Sequence, residues 1–196
     1  MARPEDVAAY VLERLKSATT YELQKLIYYA NGWSMAWDGE RLVEGTFGAW
    51  PKGPVLTQLW PMHAGRHRLV AGELAGDSSK LSSEQRETLD AVLEFYGSLG
   101  AESLVELSHR ERPWREARGD LGPTEKTDRT LDENVVREYF CSLARGSREK
   151  RIADGVRAGV RLALSIPEDE IDTLDDMTDS IAGAEAEAWL SDVCRS

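Results

Sequence analysis

The sequence predicts a mainly α-helical, compact domain with one or two short β-strands, followed by a C-terminal helical and acidic extension. Two observations carry this. Apolar residues recur at helical spacing in segment after segment, and Ser or Thr residues with Glu or Gln three positions on mark helix starts. A third sets the extension apart. Of the net charge of −11, residues 165–196 hold −9, from ten acids against Arg195, which leaves −2 for residues 1–164.

The elements follow in order. Pro4, then Glu5 and Asp6, suit a helix start, and Val7, Tyr10, Val11 and Leu15 continue the spacing, so a first helix is expected over 5–16. Thr19 and Glu22 have capping-box spacing and open a second helix. It carries Leu23, Leu26, Ile27, Ala30, Ser34 and Trp37 on one stripe and Tyr21, Lys25, Tyr28 and Met35 opposite. Large residues on both faces predict a central helix enclosed by neighbours. Lys25 then needs an acid or carbonyl partner, or a route to solvent, because a lone buried ammonium is costly. Asp38-Gly39 is a turn signal, and the stretch 41–50 favours one or two short strands. The run from Trp50 to Pro54 is a tight connection in which Gly53 supplies a permissive φ before Pro54 fixes the next one. Pro54 is expected to open a short helix that Pro61 stops, and residues 64–80 read as a surface loop. Ser82 and Gln85 cap an amphipathic helix bearing Leu89, Val92, Leu93 and Tyr96, closed by Gly97 and Gly100. A short helix through Leu104 and Leu107 follows. Pro113 is expected to open a turn holding Trp114, residues 119–130 are a polar linker, and Asp132 caps a last domain helix with Val135, Val136, Tyr139, Phe140 and Leu143.

Composition narrows the class. The chain of 196 residues, 41% hydrophobic and 30% charged, is globular rather than disordered. No apolar run approaches the ~20 residues that span a bilayer, and the acids near the N-terminus do not suit a signal peptide, so no membrane partner and a cytoplasmic location are expected. The acidic balance disfavours direct nucleic-acid binding and suits a basic protein partner.

Three segments then carry a resemblance: Leu23-Gln24-Lys25-Leu26-Ile27-Tyr28-Tyr29-Ala30 with Trp33; Ala49-Trp50-Pro51-Lys52-Gly53-Pro54-Val55; and His109 with Pro113-Trp114. In this order and spacing they resemble the Panacea domain of SocA-like antitoxins and of phage-associated proteins of the GepA type. The resemblance covers roughly residues 5–143. It implies a helical, non-enzymatic module that binds and neutralises a cognate protein toxin directly. It also leaves open a proteolytic adaptor that delivers a toxin to a protease, a DNA-binding regulator, and a phage-associated enzyme. The expected divisions are 1–143 for the domain, 144–166 for a basic amphipathic helix, and 167–196 for an acidic tail, for which a segment that folds on partner binding is favoured over a passive solvated tail or a protease-recognition tail. Candidate partner-binding residues, taken from the motif positions, are Lys25, Tyr28, Tyr29, Trp33, Trp50, Gly53, Pro54, His109, Pro113 and Trp114. The tail adds Asp172, Asp175, Asp176 and Trp189.

His63 and His67 have a metal-ligand spacing, but Gly65 lies between them, Pro61 precedes them and a third ligand is missing, so a solvated loop is expected and no metal. His109 is expected to fix the loop carrying Trp114 rather than act as a general base. Cys141 lies on an apolar helix face as a small core residue. No phosphate-binding glycine loop or other cofactor motif is present in the sequence, and neither catalysis nor a cofactor is expected.

Overall fold

The computed structural model describes residues 1–144. The expected 144–166 helix and the 167–196 tail, with Asp172, Asp175, Asp176 and Trp189, lie outside the described residues.

Seven helices and four short strands are described: α1 (Pro4–Leu15), β1 (Ser17–Thr19), α2 (Thr20–Trp37), β2 (Phe47–Trp50), β3 (Gly53–Leu56), α3 (Trp60–His63), β4 (Arg68–Val70), α4 (Ser83–Tyr96), α5 (Ala101–Arg110), α6 (Arg112–Arg118) and α7 (Glu133–Ala144). The mainly helical class holds. Strands exceed the expectation because β1 and β4 are three residues each, too short to show alternation, and pair antiparallel through Ala18 and Leu69.

Helix α2 is the central element. Its capping box forms as the spacing predicts: Thr19 Oγ1 accepts from the Glu22 amide, and Glu22 Oε2 accepts from the Thr19 amide at 2.7 Å. From Leu23 to Ala36 every residue of the helix is buried. Helix α4 packs on it through Tyr96, which stacks on Tyr29 at 4.1 Å and accepts a hydrogen bond from Trp33 Nε1. Helix α7 packs on it through Phe140, whose ring lies edge-on to Tyr28, Tyr29 and Trp33. Gly32 makes this approach possible, because a Cβ there would overlap the Phe140 ring. Asp132 starts α7, its carboxylate accepting from the Asn134 amide at 2.7 Å. Cys141 is fully buried on α7, but it is disulfide-bonded rather than a free core thiol.

Three local expectations are corrected. Pro54 does not open a helix. Gly53 takes a φ of 88°, turns the chain at Pro51-Lys52, and places Pro54 opposite Ala49 in the β2–β3 hairpin. The helix begins instead at Trp60, with Pro61 in its first turn, a position that needs no N–H donor. Residues 64–80 are not a plain surface loop: Leu69 and Leu74 are buried and β4 lies within them. Pro113 opens helix α6 rather than a turn, again in a first-turn position. Among the described residues no helix is long and apolar enough to cross a membrane.

Candidate functional site

The three motif segments converge on one buried node. Lys25 lies one turn into α2 and is fully buried. Its Nζ donates to the Pro54 carbonyl at 2.9 Å, so the helix holds the hairpin by a charged hydrogen bond. The carbonyl partner expected from the sequence is thus present. Glu111, at the joint between α5 and α6, is 5% exposed, and its Oε2 accepts from the Tyr28 hydroxyl at 3.0 Å. Trp114 Nε1 donates to the Trp50 carbonyl at 3.0 Å, tying α6 to the hairpin. His109 stacks on Trp114 at 4.0 Å, and the Pro51 backbone accepts from its ring. Arg118 lies 5.6 Å from the Trp114 ring centre and donates to the carbonyls of Ala49 and Glu125.

Burial sets the electrostatics of this node. It pushes the Lys25 ammonium down to about 7, against the attraction of Glu111. It pushes the Glu111 carboxyl up to about 8, opposed by the neighbouring Tyr29 and Tyr28 hydroxyls and by Lys25. His109 is lowered by burial first, then by the Lys25 and Lys52 charges. Lys25, Glu111 and Arg118 are buried, and the half-buried His109 ring keeps its Nε2 away from solvent.

The expected partner residues therefore divide. Lys25, Tyr28, Tyr29 and Trp33 are fully buried, and Gly53, Pro54 and Pro113 are buried with them. In this state their side chains have no surface to offer. Trp50, His109 and Trp114 are half-buried.

A second feature lies beside the node: a cleft of about 620 Å³ between the start of α2, the hairpin, the α3 region and the loop before α7. Gln24, Val55 and His63 are its buried lining. Gln24 Oε1 accepts from the Leu56 amide at 2.7 Å, so its amide nitrogen donates to His63 Nε2 at 2.8 Å. That assignment leaves His63 neutral with Nε2 occupied, and burial lowers its pKa in agreement. His63 is thus a buried structural residue, not part of a solvated loop. His67 is exposed. Among the described residues no group of three or more His, Cys, Asp or Glu is placed to hold a metal ion.

Tyr21 and Trp60 line the cleft and remain 45% and 42% exposed, and Met62 beside them is 43% exposed. Trp50 meets Trp60 edge to face at 5.5 Å. Three cations, Lys52, Arg66 and Lys126, also line it, and no acid does. None of Tyr21, Lys52, Trp60, Arg66 and Lys126 was singled out as a partner-binding residue from the sequence. Trp60 is one of six tryptophans, and nothing local in the sequence distinguishes an exposed Trp from a core one. The cations come from three segments that only folding brings together.

No curated protein and no solved structure matches the chain. Residues 23–115 match the family model described as antitoxin SocA-like, Panacea domain, a span that begins at the buried motif of α2 and ends one residue beyond Trp114. Over that span, just under half of the chain, the protein is similar to the Panacea domain of SocA-like antitoxins.

Proposed function

We propose that this chain is an antitoxin that neutralises a cognate protein toxin by direct binding and catalyses no reaction. The observation that carries the reading, beyond the family, is the aromatic and cation-lined cleft. Trp, Tyr and Arg dominate the energetics of protein interfaces, and an apolar centre with a charged rim is the usual anatomy of one. Exposed Tyr21 and Trp60, with Lys52, Arg66 and Lys126 in the same lining, match that composition. The acidic residues of 167–196 suit a toxin with a basic surface and would speed its capture. The non-enzymatic reading is supported by where the ionisable motif residues lie: Lys25 and Glu111, whose charged forms burial disfavours, are sealed in the core, where a substrate has no access.

The test is co-expression. The reading frame adjacent to this gene is induced in a bacterium alone and together with this chain, followed by affinity capture. Growth arrest by the neighbour, rescue by this chain and recovery of intact toxin in a complex are expected. Rescue with loss of the toxin points to the adaptor reading, in which a protease is the second partner. A harmless neighbour, or rescue with neither complex nor toxin loss, overturns direct neutralisation.

A further inference from the structure

We propose that the acidic C-terminal segment, residues 167–196, docks in the aromatic, cation-lined cleft of its own chain and occupies it until a protein partner takes its place. The docking stands on charge, direction and reach; only its displacement by a partner rests on the function proposed above.

Charge comes first. The cleft places Lys52, Arg66 and Lys126 together with no lining acid, in a chain of net charge −11. Among the described residues Lys52 and Lys126 form no ion pair, and Arg66 meets only Glu73, at 3.5 Å and largely exposed. The segment 167–196 holds ten acids and one base. Chemistry beyond charge also matches. The acids alternate with Ile171, Leu174, Met177, Ile181, Trp189 and Leu190, which are the side chains that an apolar cleft edged by Tyr21 and Trp60 would take.

Direction and reach agree. Arg137, early in α7, donates to the Gly39 carbonyl just beyond the end of α2, and Phe140, one turn later, packs at Gly32 and Tyr28. Helix α7 therefore runs antiparallel to α2 and leads the chain toward the end of α2 where Thr20 and Tyr21 line the cleft. Between Ala144 and the acidic segment lie residues 145–166. Their length spans about 33 Å as helix and about 70 Å extended, against a radius of gyration of about 15 Å for a domain of this size. The tether also raises the effective concentration of the segment to about the millimolar range, so modest contacts suffice to fill the cleft.

The experiment uses the full chain carrying a photoreactive benzoylphenylalanine at position 189 and, in a second preparation, at position 178. Crosslinks within the monomer are mapped by mass spectrometry. Adducts on residues 50–66 and 124–127 are expected, falling at least tenfold in the triple variant Lys52→Glu, Arg66→Glu, Lys126→Glu and in about 0.5 M salt. The three side chains are exposed, and circular dichroism checks that the variant folds. Adducts confined to the basic stretch 145–164, adducts found only between two copies, or cleft adducts indifferent to charge reversal overturn the proposal. Toxin rescue is scored separately. Rescue without cleft adducts sinks self-docking and leaves the antitoxin reading; cleft adducts without rescue do the reverse.

Discussion

The motif node makes a quantitative demand at Gly53. Its φ of 88° lies in the region that L-residues avoid, and a Cβ there would overlap Ser108 Oγ and come within 2.5 Å of Lys25 Cε. Gly53→Ala therefore costs twice. Backbone strain is worth about 1–2 kcal/mol. Displacing Lys25 from the Pro54 carbonyl loses a charged, buried hydrogen bond worth about 1.5–3 kcal/mol. The sum is about 2.5–5 kcal/mol, a large part of the stability of a typical domain. Gly72→Ala is the control: its φ is 86°, but nothing lies within 4 Å of the added Cβ, so it bears the strain alone. Urea unfolding followed by circular dichroism compares the two. Gly53→Ala should lose at least about 1.5 kcal/mol more than Gly72→Ala. Equal losses would refute the idea that Lys25 clamps the hairpin.

Three further outcomes follow from the same structure. Thr19→Ala removes the α2 capping box and should cost about 1 kcal/mol in unfolding free energy, with no effect if the cap is ornamental. Glu111 is raised from 4.5 to about 8 on folding, so its stabilising term is full below its unfolded pKa and is lost as pH rises toward 8; the difference between the stability–pH profiles of wild type and Glu111→Gln should slope by up to about 1.4 kcal/mol per pH unit across pH 5–8, and parallel profiles would contradict it. Trp60→Ala should weaken capture of the partner by about tenfold or more in a titration while leaving the fold intact; unchanged affinity would remove the cleft from the interface.

The parts of the fold that were legible in the sequence are those with local causes. The Thr19–Glu22 and Ser82–Gln85 boxes, the Asp132 cap and the enclosed α2 each follow from spacing within one segment. What was not legible depends on pairing at a distance. Strand β1 exists because Ala18 meets Leu69 some fifty positions on, and Pro54 reads as a helix opener until Ala49 is placed across from it. The same limit applies to the site. Lys25 announced its need for a partner, but its burial beneath Gly53 and Ser108 is a tertiary fact. Lys52, Arg66 and Lys126 carry no shared motif, so their meeting around one cleft was invisible.

The division between node and cleft explains why a family signature here reports fold before partner. Lys25, Tyr28, Pro54, His109 and Trp114 fix the hairpin and the α5–α6 joint to the central helix, and each is held by a named contact. Tyr21 and Lys126 lie outside the matched span 23–115, while Trp60 and Arg66 lie inside it but outside the three motif segments. Of Tyr21, Lys52, Trp60, Arg66 and Lys126, only Lys52 falls within a motif segment. A scaffold built this way can change partner without changing fold, because the side chains that face outward are not those that hold the elements together. The consequence is measurable. Replacing Tyr21, Lys52, Trp60, Arg66 and Lys126 together by Ser should lower stability by no more than about 2 kcal/mol, since exposed substitutions cost little each. Lys25→Ala alone should cost about 3 kcal/mol or more, because it removes the hydrogen bond to the Pro54 carbonyl and leaves a cavity where a fully buried side chain packed. If the five-fold variant unfolds more readily than Lys25→Ala, the cleft is part of the scaffold, and partner choice must be carried by another surface.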